Sequence, residues 1–368
     1  MNLELIATYG ATAVLLIGFL SLLNPLASRI NLVDHPDGDR KQHTGAIPLM
    51  GGVALYLTFF TIFILTSLDA EAIPYPQDFW VTVGLLLGVL VFTHAFDDVY
   101  GIDAIVRLAI DGAIGVLLSA VALLQLDTLG YLFGPSEMTL GRWAVPMTVF
   151  CFIAASNAFN MVDGIDSLCS GLGILCFSTI IVLLMDGGHP DASGLIILCT
   201  VVICALVPMY LVNLGYLGSR LKSFLGDSGS RLIGFIAAIA LIYAAKHEYI
   251  KPVIAYFPIA VPVCDCLILM GSRVRKKRSP LSADRLHLHH LFLNYGFTVN
   301  ATRSIIISLG ILLSLLGFLL QHYDVAEWII SMTVVVSFWC FMGMRWYLIR
   351  AALKGIDVAG SGMPESST

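Results

Sequence analysis

The stretch SGLIILCTVVICALVPMYLVN, residues 193–213, contains no charged side chain. A helix needs about 20 mostly apolar residues to cross the hydrocarbon core of a bilayer. Within that core, only a helix or a closed barrel satisfies its own backbone. The stretch therefore reads as a membrane-spanning helix. Comparable apolar runs fall at roughly 5–27, 48–68, 79–96, 105–125, 142–159, 167–185, 229–246, 252–271, 302–321 and 326–348. The chain of 368 residues is 58% hydrophobic and only 12% charged, where a soluble domain carries about 25% charged residues. The predicted fold is all-α, a polytopic membrane bundle of about eleven transmembrane helices. Residues 1–350 make one transmembrane domain and 351–368 a disordered tail.

Eight cysteines, at 151, 169, 176, 199, 204, 264, 266 and 340, lie in or beside apolar runs. They read as small buried hydrophobes rather than a disulfide framework. Placing the loops alternately puts seventeen of the 20 Lys and Arg on one side; only Arg142, Lys246 and Lys251 fall on the other. The positive-inside rule makes the basic side cytoplasmic, with the N-terminus outside and the C-terminus inside. The first basic residue, Arg29, follows the first apolar run, which is the wrong order for a cleaved signal peptide. Every cluster of chemically competent residues lies in a loop of the basic side.

Asp97 and Asp98, in FDDVYGID, are adjacent carboxylates at the inner end of the third run. Ionisable residues at a membrane boundary are costly, and two neighbouring carboxylates call for a cation between them. The alternative is a solvated helix end. In NAFNMVDGIDSL, residues 157–168, Asn157, Asn160, Asp163 and Asp166 recur every three residues. On a helix they would share a face whose oxygens suit a hard cation such as Mg2+, with Gly164 loosening the turn. A polar seam between helices is the plainer reading.

FLGDSGSRLIGF, residues 224–235, contains the Gly-Asp-Ser-Gly that surrounds the nucleophile of trypsin-like proteases. No secreted soluble β-barrel is present to supply a base and an orienting acid. Asp227 and Ser228 fit better as the start of a helix whose free amides hold an anion. Phe224, just before them, could stack a base or be structural. In DRLHLHH, Arg285, His287, His289 and His290 form an anion-binding group, Arg taking phosphate oxygens in bidentate fashion. A zinc site made of the histidines is the rival. Arg40, Lys41 and His43, in the first inner loop, either hold a lipid phosphate or anchor the helix. Asp265 lies inside a span and would build the site from below. Arg107 and Asp111, four apart on one helix, would pair with each other. His94 reads as structural.

These are parts for Mg2+-dependent phosphoryl transfer onto a lipid. The ordered set of motifs resembles the polyprenyl-phosphate N-acetylhexosamine-1-phosphate transferase family, in its WecA-type branch, with the MraY translocases more distant. The resemblance runs from DHPDGDRKQH and IPLMGG through FDDVYG, NAFNMVDGIDSL, NLGYLG and FLGDSGSRLIGF to SPLSADRLHLHHL. The His287-Leu-His289-His290 form matches the WecA type rather than the His-His-His of MraY. Gly101 stands where relatives often carry an acid or a Lys, and the next acid is Asp103.

The resemblance implies Mg2+, with Mn2+ as the alternative ion, ligated by Asp227 and Asn160. It implies that Asp163 and Asp166 support the metal-pyrophosphate site and that Phe224 stacks on uracil. Asn213 and Asn157 would approach the substrate, Arg285 and the three histidines would bind diphosphate and sugar, and Asp97 or Asp98 would act as base. The implied reaction joins UDP-N-acetylglucosamine and undecaprenyl phosphate, releases UMP and leaves undecaprenyl-diphospho-N-acetylglucosamine. That is a first lipid-linked step of surface polysaccharide synthesis (O-antigen, common antigen or teichoic acid), at the cytoplasmic side of a bacterial inner membrane. Membrane lipid is the surrounding partner, nucleic acid is not expected, and a homodimer stays open. The alternatives are a nucleotide-sugar membrane transporter, which would need midplane polar groups and often repeat symmetry, an intramembrane aspartyl protease, or the same chemistry on another UDP-N-acetylhexosamine.

Overall fold

The computed structural model describes residues 3–35, 45–67, 77–280 and 286–360. Among the described residues, twelve α-helices follow one another. They are α1 (Leu3–Ala27), α2 (Gly51–Ser67), α3 (Gln77–Tyr100), α4 (Ala104–Ala120), α5 (Ala144–Val162) and α6 (Leu168–Gly187), then α7 (Ser193–Asn213), α8 (Gly226–Lys246), α9 (Ala260–Arg275), α10 (Leu288–Tyr295), α11 (Val299–His322) and α12 (Glu327–Gly360). Each expected span coincides with one of these helices. Among the described residues, nine helical stretches are long and apolar enough to cross a membrane, α9 together with a 3-10 turn over Pro252–Ile259 that precedes it. Helices α2 and α4, of 17 residues each, are shorter. The eight-residue α10 was not expected. Of the segment read as a tail, 352–360 continue α12 and 361–368 lie outside the described residues.

Helix α8 is the axis of the bundle. Its apolar window is 94% buried, and α2, α3, α5 and α6 pack around it. Helix α6 in turn packs on α7 and α11, α4 on α3 and α5, and α1 on α2 and α7. The start of α8 is clamped to the start of α2. Gly51 and Gly52 donate to the carbonyls of Phe224 and Leu225 at 2.9 and 3.0 Å, and Phe224 donates to Pro48 at 2.8 Å. The backbones meet so closely that a Cβ on Gly52 would fall 2.3 Å from the Gly229 nitrogen. Only glycine allows that approach. Pro48 also closes a two-stranded antiparallel ladder, β1 (Val33–Asp34) with β2 (Ile47–Pro48).

The eight cysteines are all free; five are buried, Cys151 and Cys204 are half-buried, and Cys340, read as a buried hydrophobe, is exposed on α12. Several basic residues counted with the basic-side loops are buried and bonded: Arg231, Arg273, Arg303 and Arg345 are each less than 9% exposed.

Candidate active site

One end of the bundle gathers the C-termini of α3, α5 and α7 and the N-termini of α2, α4, α6 and α8. Asp97 and Asp98 sit in the last turn of α3. Gly101 then turns the chain with φ +70°, its amide bonded to the Asp97 carbonyl at 2.8 Å. Asp103 caps α4 by accepting from the amide of Ile105 at 2.8 Å. The next acid after the Asp pair is therefore a helix cap, and Gly101 takes the left-handed turn without strain.

Helix α4 delivers Arg107 into the centre of the site. Its guanidinium pairs closely with Asp97 and lies 3.4 Å from Asp227 Oδ2. The expected Arg107–Asp111 pair does not form. Both residues lie on one helix, but each finds a stronger partner on a neighbouring one. Asp97 is further held by the amide of Ile102 at 2.6 Å. Asp98 accepts from the amide of Asp227 at 3.3 Å through Oδ1, so a carboxylate from α3 rests on the N-terminus of α8, where the helix dipole favours negative charge. Its other oxygen, Oδ2, is buried without a hydrogen-bond partner. Asp227 lies in the first turn of α8 and does not cap it; the cap position is Leu225, with no side-chain bond. Asn160, in the last turn of α5, donates to Asp227 Oδ1 at 2.9 Å and to Ser230 at 3.1 Å.

The four oxygen-bearing residues of NAFNMVDGIDSL do not share one helical face. Helix α5 ends at Val162, Asp163 is its cap at φ −77°, ψ 50°, and Ser167 takes a left-handed φ of 65° before α6 begins. The helix stops at Asp163, before Gly164, where the sequence suggested only a loosening, and Gly164 leaves room for the His289 ring. Asp163 and Asp166 thus stand in a tight turn beside Asp227. Burial first, then the charges of Asp227 and Asp166, push the Asp163 carboxyl up to about 8. Asp166 pairs with Lys222 at 3.3 Å, and Arg303 donates to its carbonyl at 3.1 Å. Asn157 donates to Ile153 O at 2.8 Å within its own helix.

Phe224 is partly open, and the Lys222 ammonium lies 5.6 Å from its ring centroid. Asn213 is buried beneath the turn. Its Oδ1 accepts from the amide and hydroxyl of Ser167, and its Nδ2 donates to Ser223 O at 3.2 Å. That arrangement ties α6, α7 and the approach to α8 together. Ser228 is fully buried and its hydroxyl has no hydrogen-bond partner. Among the described residues no side chain hydrogen-bonds that hydroxyl, so the protease reading gains no support.

The histidines arrive on α10. Asp265 binds His287 Nδ1 at 3.3 Å, the amide of Leu288 at 3.1 Å and the Arg345 guanidinium. It thereby props up the start of α10 from below, as expected of it. The imidazole of His289 packs on Gly164, next to Asp163. The ring centroids of His289 and His290 are 4.3 Å apart, those of His287 and His289 5.6 Å. Burial, then the neighbouring histidines and Arg345, hold His289 well below the usual histidine range, as a neutral ring. Arg40, Lys41, His43 and Arg285 lie outside the described residues. Arg107 and Lys222 were not singled out for the site. A lone Arg in an apolar helix and a Lys in a basic loop carry no motif, and only the fold sets them among the carboxylates.

Among the described residues, no three His, Cys, Asp or Glu side chains form a ready-made metal cage. What is present suits a hard cation held loosely: Asp227, an amide oxygen on Asn160 and the unpartnered Asp98 oxygen nearby. Mg2+ is commonly bound by one or two carboxylates with substrate phosphates and water completing the shell.

Carboxylates, a bridging guanidinium and a buried imidazole at one end of a membrane bundle are the parts of an integral-membrane enzyme of phosphoryl-group transfer. Comparison with known proteins agrees. The model of glycosyl transferase family 4 matches residues 79–245. Undecaprenyl-phosphate alpha-N-acetylglucosaminyl 1-phosphate transferase of Yersinia pestis is 38% identical over 323 residues, 87% of this chain and 86% of the relative. The protein of that name from Escherichia coli K12 is 38% identical over 340 residues, 91% and 88% of the two chains. That of Haemophilus influenzae Rd is 35% identical over 326 residues, 88% and 89%. The chain belongs to glycosyl transferase family 4, among the polyprenyl-phosphate N-acetylhexosamine-1-phosphate transferases.

Proposed function

We propose that the chain transfers N-acetylglucosamine-1-phosphate from UDP-N-acetylglucosamine to undecaprenyl phosphate. The product is undecaprenyl-diphospho-N-acetylglucosamine and the by-product UMP. The observation that carries this reading is the convergence of Asp97 and Asp227 on Arg107 at one end of the bundle, with Asp98 bonded to the Asp227 amide beside them. The names of the relatives support it over nucleotide-sugar transport. The basic-side loops support a cytoplasmic site in a bacterial inner membrane.

Asp227 and Asn160 would hold Mg2+, Asn160 by turning its amide oxygen toward the ion. When bound, the ion supplies charge neutralisation on the pyrophosphate and the departing UMP. The protein's own residues then set the geometry. An oxygen of the lipid phosphate attacks the sugar-bearing phosphorus. The new P–O bond forms as the bond from that phosphorus to the UMP oxygen breaks, and the electron pair leaves with UMP. Arg107 balances negative charge between Asp97 and Asp227. Asp97 already has two partners and positions Arg107. Asp98 Oδ2 has none, which suits it to take the proton of a lipid phosphate monoanion. Phe224 and Lys222 face the nucleotide, and His289 meets the phosphates as a neutral hydrogen-bonding ring. Asp163 and Asp166 support the turn beside the ion.

The test supplies purified protein with UDP-N-acetylglucosamine labelled in the sugar, undecaprenyl phosphate and Mg2+. Label should move into a butanol-extractable lipid and return to water on addition of UMP. No transfer from this or any other UDP-N-acetylhexosamine would overturn the proposal.

A further inference from the structure

Below the reacting face lies a second ionic layer. Asp111, on α4, is fully buried; it binds His94 Nε2 of α3 at 2.8 Å and Arg231 of α8 at 2.9 Å. His94 is fully buried too, and Arg231 is 5% exposed. Three charged or ionisable groups inside a membrane bundle are costly, and such groups are retained for a reason beyond packing.

Their spacing gives the reason. His94 is one helical turn from Asp97 and Asp98, Asp111 one turn from Arg107, and Arg231 one turn from Asp227. The same three helices therefore carry two stacked layers. In the upper layer α4 bears the cation and α3 and α8 bear carboxylates. In the lower layer α4 bears the carboxylate and α8 the cation. Helices α4 and α8 both begin at this end of the bundle and run the same way. If α8 slipped one turn along α4, either Arg231 would meet Arg107 or Asp227 would meet Asp111. Both slips set like charges together in a poorly screened interior. Buried ionic groups serve best as such register keys, since as plain stabilisers they are often no better than apolar pairs.

We infer that His94, Asp111 and Arg231 are positioning residues that fix the axial register of α3, α4 and α8, and so hold Asp97, Arg107 and Asp227 in reacting geometry. The inference rests on the reading of those three as the reacting face.

The test is the full-length double variant Asp111→Leu with Arg231→Met, which removes both charges together and leaves neither unpaired. Thermal unfolding in detergent and steady-state kinetics on both substrates are measured beside Arg231→Lys. The expected result is a folded protein whose kcat falls about 30-fold or more while both KM values stay within about threefold, with Arg231→Lys keeping at least a third of kcat. A folded double variant with kcat within twofold of wild type overturns the inference, as does a loss that sits in KM. Should the double variant yield no folded protein, His94→Leu and His94→Gln decide. Gln can donate to the same Asp111 oxygen and should restore the kcat that Leu loses; equal kcat for both overturns it. Asp227→Asn is run in parallel: full activity there would bring down the reading of the reacting face itself, separately from the lower layer.

Discussion

Asp98 accepts a hydrogen bond from the backbone amide of Asp227, 3.3 Å across the boundary between α3 and α8. This bond joins the FDDVYGID and FLGDSGSRLIGF motifs into one object. It leaves a single carboxylate oxygen, Asp98 Oδ2, buried and unpartnered beside the site. The adjacent Asp97 has no such oxygen free, since Arg107 and the Ile102 amide engage both.

That inequality separates the two residues by pH. A phosphate monoester loses its second proton near pH ~6. Asp98→Asn should be most defective below about pH 6.5, where the lipid phosphate still carries that proton, and should partly recover above it. Asp97→Asn should be defective at every pH, because it loosens Arg107. The measurement is the rate of lipid-linked sugar formation from about pH 5.5 to 9 at saturating Mg2+. Parallel profiles for the two variants would remove proton transfer to Asp98 from the mechanism.

Arg107→Gln leaves the carboxylates of Asp97 and Asp227 facing each other without a cation. The site becomes more negative, so half-saturation with Mg2+ should occur at lower concentration. Turnover should fall at least about tenfold, a barrier change of ~1.4 kcal/mol. A Mg2+ titration of initial rates checks both effects. Unchanged kcat would show that the guanidinium is a bystander.

Much of this was legible from residues 193–213 and their ten counterparts. In a bilayer each span satisfies its own backbone, so the signal is local and the eleven apolar runs each became a helix. Asp97, Asp98, Asn160 and Asp227 could be picked out because polar groups at helix ends in an apolar chain stand apart. Arg107 could not be placed, because its partners are 10 and 120 residues away in the chain. For the same reason Arg231 reads in the sequence only as a basic-side loop charge when it is an interior ion-pair partner of Asp111. Helix periodicity misled at Asp163 and Asp166, where the helix stops at Asp163 and a turn, not a face, brings the carboxylates in. Helix α10, only eight residues long, depends on Asp265 and Arg345 from elsewhere in the chain.

Asp163 offers a stability measurement. Its folded-state value of about 8 stands above its usual 3.8, so the folded protein binds the proton more tightly than the unfolded chain. The stabilisation is complete below about pH 4 and is lost as pH rises through about 8. Without divalent cations, the unfolding midpoint of the wild type should fall across that window. The Asp163→Asn midpoint should fall less steeply, and equal slopes would contradict the burial assigned to this carboxyl.

Ser228→Ala removes a buried hydroxyl that has no partner. Such a group costs free energy to bury, so the variant should be as stable as wild type or more so. Its activity should stay within twofold. Strong inactivation would restore the nucleophile reading of Gly-Asp-Ser-Gly.

The chemistry at Asp227 can be read in one assay. Purified wild type and Asp227→Asn are given UDP-N-acetylglucosamine labelled in both the sugar and the phosphorus attached to it, with undecaprenyl phosphate and Mg2+. Wild type should place sugar and phosphorus together in the lipid and release UMP in equal amount, and Asp227→Asn should retain under about a hundredth of that rate, a barrier change of ~2.7 kcal/mol. Release of UDP in place of UMP, or more than about a tenth of wild-type rate in the variant, a change under ~1.4 kcal/mol, would contradict phosphoglycosyl transfer at this site.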